Sequence, residues 1–224
     1  MKIMVSSQIR EPVTKILMPI VVFFGKLGIH PNVFTYLGVL LSIAAGVFIY
    51  LDNFLTAVIL LMFGATMDFL DGGVARYRGL ATRKGGFLDS IVDRISDLAI
   101  FGGVALSIHV DLVTGIIMVT STLLISYIRA KGESIGIEKM AVGLMERSER
   151  LLFLFLLMVI SLFIPSFKDN PFFTIGNFSH GTYFYIGYMI LTGLCVITVI
   201  QRFIYGTIQL SKAEKQVSVP QEAQ

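Results

Sequence analysis

Apolar stretches long enough to cross a bilayer recur along this chain. In hydrocarbon a backbone has no water to bond, so each stretch must close its own hydrogen bonds as a helix. The runs at residues 33–51, 54–75, 86–110, 112–128, 145–164 and 182–205 are read as spans, separated by short polar breaks such as Asp52-Asn53 and Asp111. A chain that is 55% apolar with a mean hydropathy of +0.80 exceeds what a water-soluble domain carries. Before the first span, Ile9, Val13, Ile16, Leu17, Ile20, Val21, Phe24 and Leu27 recur at helical spacing, with Arg10, Glu11, Lys15 and Lys26 elsewhere. That pattern predicts an amphipathic helix lying in the interface, begun or kinked at Pro12 and Pro19. Pro19 and Lys26 interrupt this apolar run and it lacks a small-residue cleavage site, which argues against a cleavable signal peptide. The expected fold class is therefore all-α: an integral membrane protein with an interfacial helix in residues 1–29 and a six-helix bundle in about 33–205. One membrane domain would occupy residues 1–212, and the polar tail at 213–224 is expected to be disordered.

Orientation follows from the basic residues. All lysines and arginines except Lys168 and Arg94 fall on one side of this topology, which predicts cytoplasmic termini and a basic cytoplasmic face. The formal charge of +3 conceals that asymmetry. Such a face suits lipid headgroups and phosphorylated substrates, and with no basic, aromatic-interleaved soluble module there is no case for nucleic acid. The single cysteine, Cys195, lies in an apolar run and reads as a buried small side chain, which excludes a disulfide framework.

Against this background, aspartates near or inside spans are costly, about 2.5 to 3.5 kcal/mol each at mid-membrane, and ionisable groups there mark function. Asp68 and Asp71 are three positions apart and Asp89 and Asp93 four, so each pair shares a helix face. Two such faces opposed form a carboxylate box. Oxygen-only ligands suit hard divalent cations, whose charge offsets the repulsion among the acids. At about 1.5 Å per residue, Asp68 and Asp93 should each lie about 10 Å inside the cytoplasmic helix ends, within reach of a soluble nucleotide and of a lipid. Gly72, Gly73 and Ala75 permit close approach of backbone or ligand.

Asp68-x-x-Asp71-Gly72-x-x-Ala75-Arg76, followed after eight residues by Gly85-x-x-x-Asp89-x-x-x-Asp93, resembles the full signature of the CDP-alcohol phosphotransferase family. The resemblance implies that Asp68, Asp71 and Asp89 hold two divalent cations, magnesium or manganese, with help from Asp93, which also acts as the base toward the acceptor hydroxyl. It implies that Gly72, Ala75 and Arg76, together with Asp68, accept the cytidine diphosphate group of a CDP-lipid, and that Pro31-Asn32-x-x-Thr35 approaches the diphosphate. Homodimer formation and residence in the plasma membrane, with the site facing the cytoplasm, are further implications. On sequence alone, Asn32 is the N-cap of the first span. Asp97 continues the Asp89 and Asp93 face and reads as a partner of Arg94 or of another motif residue rather than a metal ligand. His30, His109 and His180 are isolated and read as structural or interfacial.

Arg129 and Lys131 close the fourth span, Arg147 and Arg150 open the fifth, and Arg202 lies near the end of the sixth, all on the aspartates' side. Such a set could bind a phosphomonoester through charge-assisted bonds. Within the family this combination resembles the enzymes that use inositol phosphate as acceptor, with CDP-diacylglycerol or CDP-archaeol as donor. Glycerol 3-phosphate is the alternative acceptor. A cation channel or transporter is the alternative class, and clustering of the acids at one membrane face argues against it.

Overall fold

A computed structural model of the chain describes residues 17–137, 140–164, 166–169 and 182–218. The elements are α1 (Leu17–Lys26), α2 (Pro31–Tyr50), α3 (Phe54–Tyr77), α4 (Arg83–Ala105), α5 (Leu112–Ser134), α6 (Arg147–Phe163), α7 (Ser166–Asp169) and α8 (Tyr183–Ser218). Among the described residues there is no strand. Four helices, α2, α3, α5 and the 183–214 part of α8, are long and apolar enough to cross a membrane. Of the other two expected spans, α4 has the length but carries Arg83, Lys84, Asp89, Asp93, Arg94 and Asp97, and α6 has 17 residues. Most of the expected interfacial helix, Pro12 included, lies outside the described residues, as do His180 and most of the 165–181 loop.

Several boundaries depart from the sequence expectation for local reasons. The first span begins at Pro31, not 33, because His30 rather than Asn32 caps it: the His30 ring nitrogen accepts from the Asn32 amide at 3.2 Å, with Pro31 at the position that needs no amide proton. α4 stops at Ala105, five residues early, where the Ser107 hydroxyl donates to the Val104 carbonyl at 2.8 Å. α5 runs past 128 to Ser134, helped by the Arg129–Glu133 pair at 2.9 Å one turn apart, and ends before Gly136 at φ +90°. α6 starts at Arg147 rather than near 145. α8 continues to Ser218, so residues 213–218 are helical and not the expected disordered tail; Lys212, Ala213 and Glu214 are strong helix formers.

The core has two parts, the smaller of which, Val21, Phe34, Leu70 and Val74, packs beside the α3 aspartates. Ile49, Phe54, Phe101, Val104, Met118, Leu154, Met158, Phe184, Tyr188 and Cys195 are buried together at and beyond the middle of the bundle. Burial of Cys195 agrees with its reading as a small core side chain. Turns at that end are tied by polar contacts: Asp52 accepts from Lys168 at 2.6 Å and meets His109 at 2.7 Å, while Asp111 caps α5 through the Thr114 amide at 2.9 Å and accepts from Tyr185 at 2.6 Å. Outward faces keep large apolar side chains such as Leu40, Phe63 and Ile108 exposed, as a lipid-facing surface requires.

What positions the site is α2. It packs against both α3 and α4, whereas α3 and α4 make almost no direct backbone contact with each other. A stripe of small buried residues on α2, Gly38, Ser42, Ala45 and Gly46, makes this possible. Gly38 approaches Met67 and the Gly64 carbonyl of α3, and Gly46 lies directly on the Ala99 backbone of α4, with Gly103 against Gly46 in turn. The result is a wedge, open between α3 and α4.

Candidate active site

α3 and α4 bring their acids into that wedge from opposite sides. Carboxylate oxygens of Asp68, Asp89 and Asp93 all lie within 4.8 Å of one another. Because α3 extends to Tyr77 and α4 begins at Arg83, Asp68 and Asp93 sit about 14 to 15 Å from these helix ends at 1.5 Å per residue, deeper than expected. Asp71 stands beside the triad: buried, it accepts the Thr35 hydroxyl of α2 at 2.8 Å. Three acids so close repel strongly unless a cation lies among them. Arg147 supplies part of that charge, with one terminal nitrogen 2.7 Å from Asp93 and 3.3 Å from Asp68. It does not satisfy the site, since the nearer Asp93 oxygen, buried, has no aligned hydrogen bond. The donor set of clustered carboxylate oxygens, one with an unused lone pair, fits a hard divalent cation.

Two cavities meet at Asp68 and Asp71. The larger, about 900 Å³, is lined by Leu17, Met18 and Val21 of α1, by Gly72, Gly73, Arg76 and Tyr77 of α3, and by all four motif aspartates. Gly73 is needed there because any side chain would run into Val21 of α1, and Gly72 leaves room for the Arg76 guanidinium folded above it. Ala75 lines neither cavity. The second, about 610 Å³, lies between α2, α3, α4 and α6. Its walls are mostly apolar, among them Phe34, Leu61, Ile100, Leu151 and Phe155, with Thr35, Asp68, Asp71 and Arg147 at the polar end. Pro31 and Asn32 stand at the α2 N-terminus and line neither cavity, while Thr35, one turn on, joins them to the aspartates.

The basic residues are distributed unequally. Arg147 enters the wedge. Arg150, 1% exposed, donates to Asp97 at 2.9 Å. Arg202, also buried, donates to the Val142 and Ile125 carbonyls, both at 2.7 Å, and so holds the segment before α6 against α5 and α8. Arg129 and Lys131 are exposed on the last turns of α5. These side chains share one end of the bundle without converging on one point. Asp97 differs from expectation: its described partners are Arg147 and Arg150, whereas Arg94 lies 3.9 Å from Asp93 and donates to the Ser90 carbonyl. The helical register placed Asp97 on the right face, but its partners lie 50 and 53 residues away and no local pattern announces them.

An all-oxygen cluster on the wall of a cavity that also holds Arg76, next to a second and mostly apolar cavity, can bring a phosphate and an amphiphile to one point. The CDP-alcohol phosphatidyltransferase family model matches residues 28–201. Archaetidylinositol phosphate synthase of Pyrococcus horikoshii is 38% identical over 150 residues, covering 67% of this chain and 80% of that protein. The crystal structure of Mycobacterium tuberculosis phosphatidylinositol phosphate synthase with CDP-DAG bound is 30% identical, with a TM-score of 0.69 over 86% of this chain and 94% of its own. The structure of that enzyme in complex with manganese and citrate is also 30% identical, with a TM-score of 0.68 over 84% and 88%.

Proposed function

This chain belongs to the CDP-alcohol phosphatidyltransferase family, and from that premise we propose that it transfers the lipid phosphoryl group of a CDP-lipid to a hydroxyl of inositol 1-phosphate and releases CMP. The observation that carries this reading is the convergence of Asp68, Asp89 and Asp93 where the two cavities meet, beside an arginine. The donor is CDP-diacylglycerol or CDP-archaeol. Its diphosphate lies along Gly72, Ala75, Arg76 and Asp68, with Pro31, Asn32 and Thr35 at the α2 N-terminus, whose positive dipole end favours an anion.

In the reaction the acceptor oxygen bonds to the lipid-side phosphorus while the bond from that phosphorus to the bridging oxygen breaks, and CMP leaves with the electron pair. Asp68, Asp71, Asp89 and Asp93 would hold two divalent cations, magnesium or manganese, whose charge would stabilise the negative charge that builds up in the transfer. Asp93 takes the hydroxyl proton, and its place in the carboxylate cluster beside Arg147 puts it next to the reacting oxygen. Thr35 fixes the Asp71 carboxylate so that it faces the cavity in one orientation. The acceptor phosphate is bound from the arginine side by Arg147, Arg150, Arg129, Lys131 and Arg202, directly or by shaping the basic end.

The same reading extends to the whole molecule: six transmembrane helices with an interfacial helix before them, residues 1–212 as one domain ahead of the 213–224 tail, both termini and the active site on the cytoplasmic side of the plasma membrane, and a homodimer. The one-sided distribution of basic residues supports the orientation, and the family resemblance supports the homodimer. CMP release by purified protein from a CDP-lipid, compared with inositol 1-phosphate, glycerol 3-phosphate and free inositol, tests the function. Turnover with inositol 1-phosphate above the other two is expected; equal use of free inositol would refute a phosphate-binding acceptor site, and preference for glycerol 3-phosphate would change the polyol.

A further inference from the structure

Asp97 lies one turn past Asp93 on the same face of α4, yet it takes no part in the carboxylate cluster. It is 3% exposed, and both of its oxygens are engaged across the wedge by α6. Oδ1 accepts from Arg147 Nε at 3.2 Å, and Oδ2 accepts from Arg150 Nη2 at 2.9 Å. α4 and α6 make almost no direct backbone contact, so these bonds cross a gap rather than reinforce a packed seam. Buried ion pairs rarely stabilise a fold more than apolar side chains of equal volume would, so helix fastening is a weak reason for one here.

The geometric consequence is stronger. With Nε held, the plane of the Arg147 guanidinium is fixed, and Nη1 is delivered between Asp93 at 2.7 Å and Asp68 at 3.3 Å. Arg150 backs the arrangement from the buried side, reaching the Met145 carbonyl at 3.4 Å, just ahead of α6. The side chain of Arg147 is otherwise long and flexible, and its bound direction has to be imposed from outside.

We propose that Asp97 is a positioning residue, which aims the Arg147 guanidinium at the carboxylate cluster so that it meets the acceptor's phosphate in one fixed orientation. This rests on the reading of the site given above. Asp97 touches neither substrate nor the reacting atoms; it acts through Arg147. A guanidinium free to swing would bind the acceptor more weakly and in less productive poses, while the donor, held along α3, would be unaffected.

The test is a kinetic cycle on the purified full-length protein with magnesium, a CDP-lipid and inositol 1-phosphate. Asp97→Leu, which offers no acceptor to Arg147 Nε, should raise the acceptor KM about tenfold or more, with the donor KM changed less than about twofold. In an Arg147→Lys background the same substitution should add less than about twofold, because lysine has no Nε to be held. Asp97→Leu alone leaves Arg150 as a buried unpaired charge and can misfold, so the comparison is repeated in Arg150→Met, where Asp97 still holds Arg147. Unchanged kinetics on adding Asp97→Leu to Arg150→Met, or full additivity with Arg147→Lys, would overturn the proposal. Failure of the parent protein to use inositol 1-phosphate would fault the acceptor assignment alone, and the cycle is then read with glycerol 3-phosphate.

Discussion

Asn in place of Asp93 keeps the side chain's shape while removing its charge and its capacity to take a proton. On the proposed chemistry, Asp93→Asn lowers turnover at least about 100-fold with the fold intact, since a positioned base contributes that much or more. Loss of less than about tenfold in CMP release, with a circular dichroism spectrum like the parent's, rejects Asp93 as the base. Thr35 gives a subtler case. Its hydroxyl is the described hydrogen-bond donor from α2 to the buried Asp71 carboxylate, and a bond to a charged group contributes about 1.5 to 3 kcal/mol. Thr35→Val should therefore raise the donor KM by roughly tenfold or more at constant acceptor KM; an equal change in both would separate Thr35 from the donor side. The motif aspartates were legible from spacing alone, because i, i+3 and i, i+4 pairs share a face wherever a helix forms. The Thr35–Asp71 bond was not, because its two residues stand 36 positions apart and no periodicity joins them.

At the scale of elements, the α2–α4 crossing decides whether the wedge exists. An added methyl at Gly46 would overlap the Ala99 carbonyl, and backbone cannot step aside as a flexible side chain can. Gly46→Ala is expected to cost about 1 to 3 kcal/mol by overpacking, seen as a lower melting temperature in detergent and a parallel loss of activity; an unchanged melting temperature would mean that the helices separate at no cost. At the opposite end, Asp111 caps α5. Burial tends to raise its pKa, but hydrogen bonds from the Thr114 side chain, the Tyr185 hydroxyl and the Thr114 and Val113 amides outweigh it and hold the carboxyl at about 2. A carboxyl lowered in the folded state contributes stability that is complete above its ordinary value near 3.8 and is lost as pH falls through about 2. The melting temperature of the parent should therefore exceed that of Asp111→Asn at neutral pH and approach it between pH 4 and pH 2; a constant difference across that range rejects the cap as a charged one. Helix existence was legible from apolar run length. Helix ends were not, since α4 stopped at Ala105, inside an apolar run, and α5 and α8 ran on through polar residues that are good helix formers.

For the molecule as a whole, the clustered acids bind the fold to a cation. Activity should vanish in excess chelator and return with magnesium or manganese, and Asp68→Ala and Asp89→Ala should each lose metal binding together with turnover, because neighbours of a lost ligand are left repelling. Full activity in chelator would refute the metal centre. By itself the sequence determined the helical class, the side on which basic residues gather and the identity of the acids, because hydropathy, charge and i, i+4 spacing are local properties that any folded form must respect. Only the tertiary structure decided that α2 rather than a direct α3–α4 contact holds the two acid faces apart, that Asp71 stands beside a triad of the other three, and that Asp97 binds Arg147 and Arg150 instead of Arg94. Those outcomes depend on how closely small residues let helices approach and on side chains fifty residues apart competing for the same charge, and such distances are fixed only when the bundle packs.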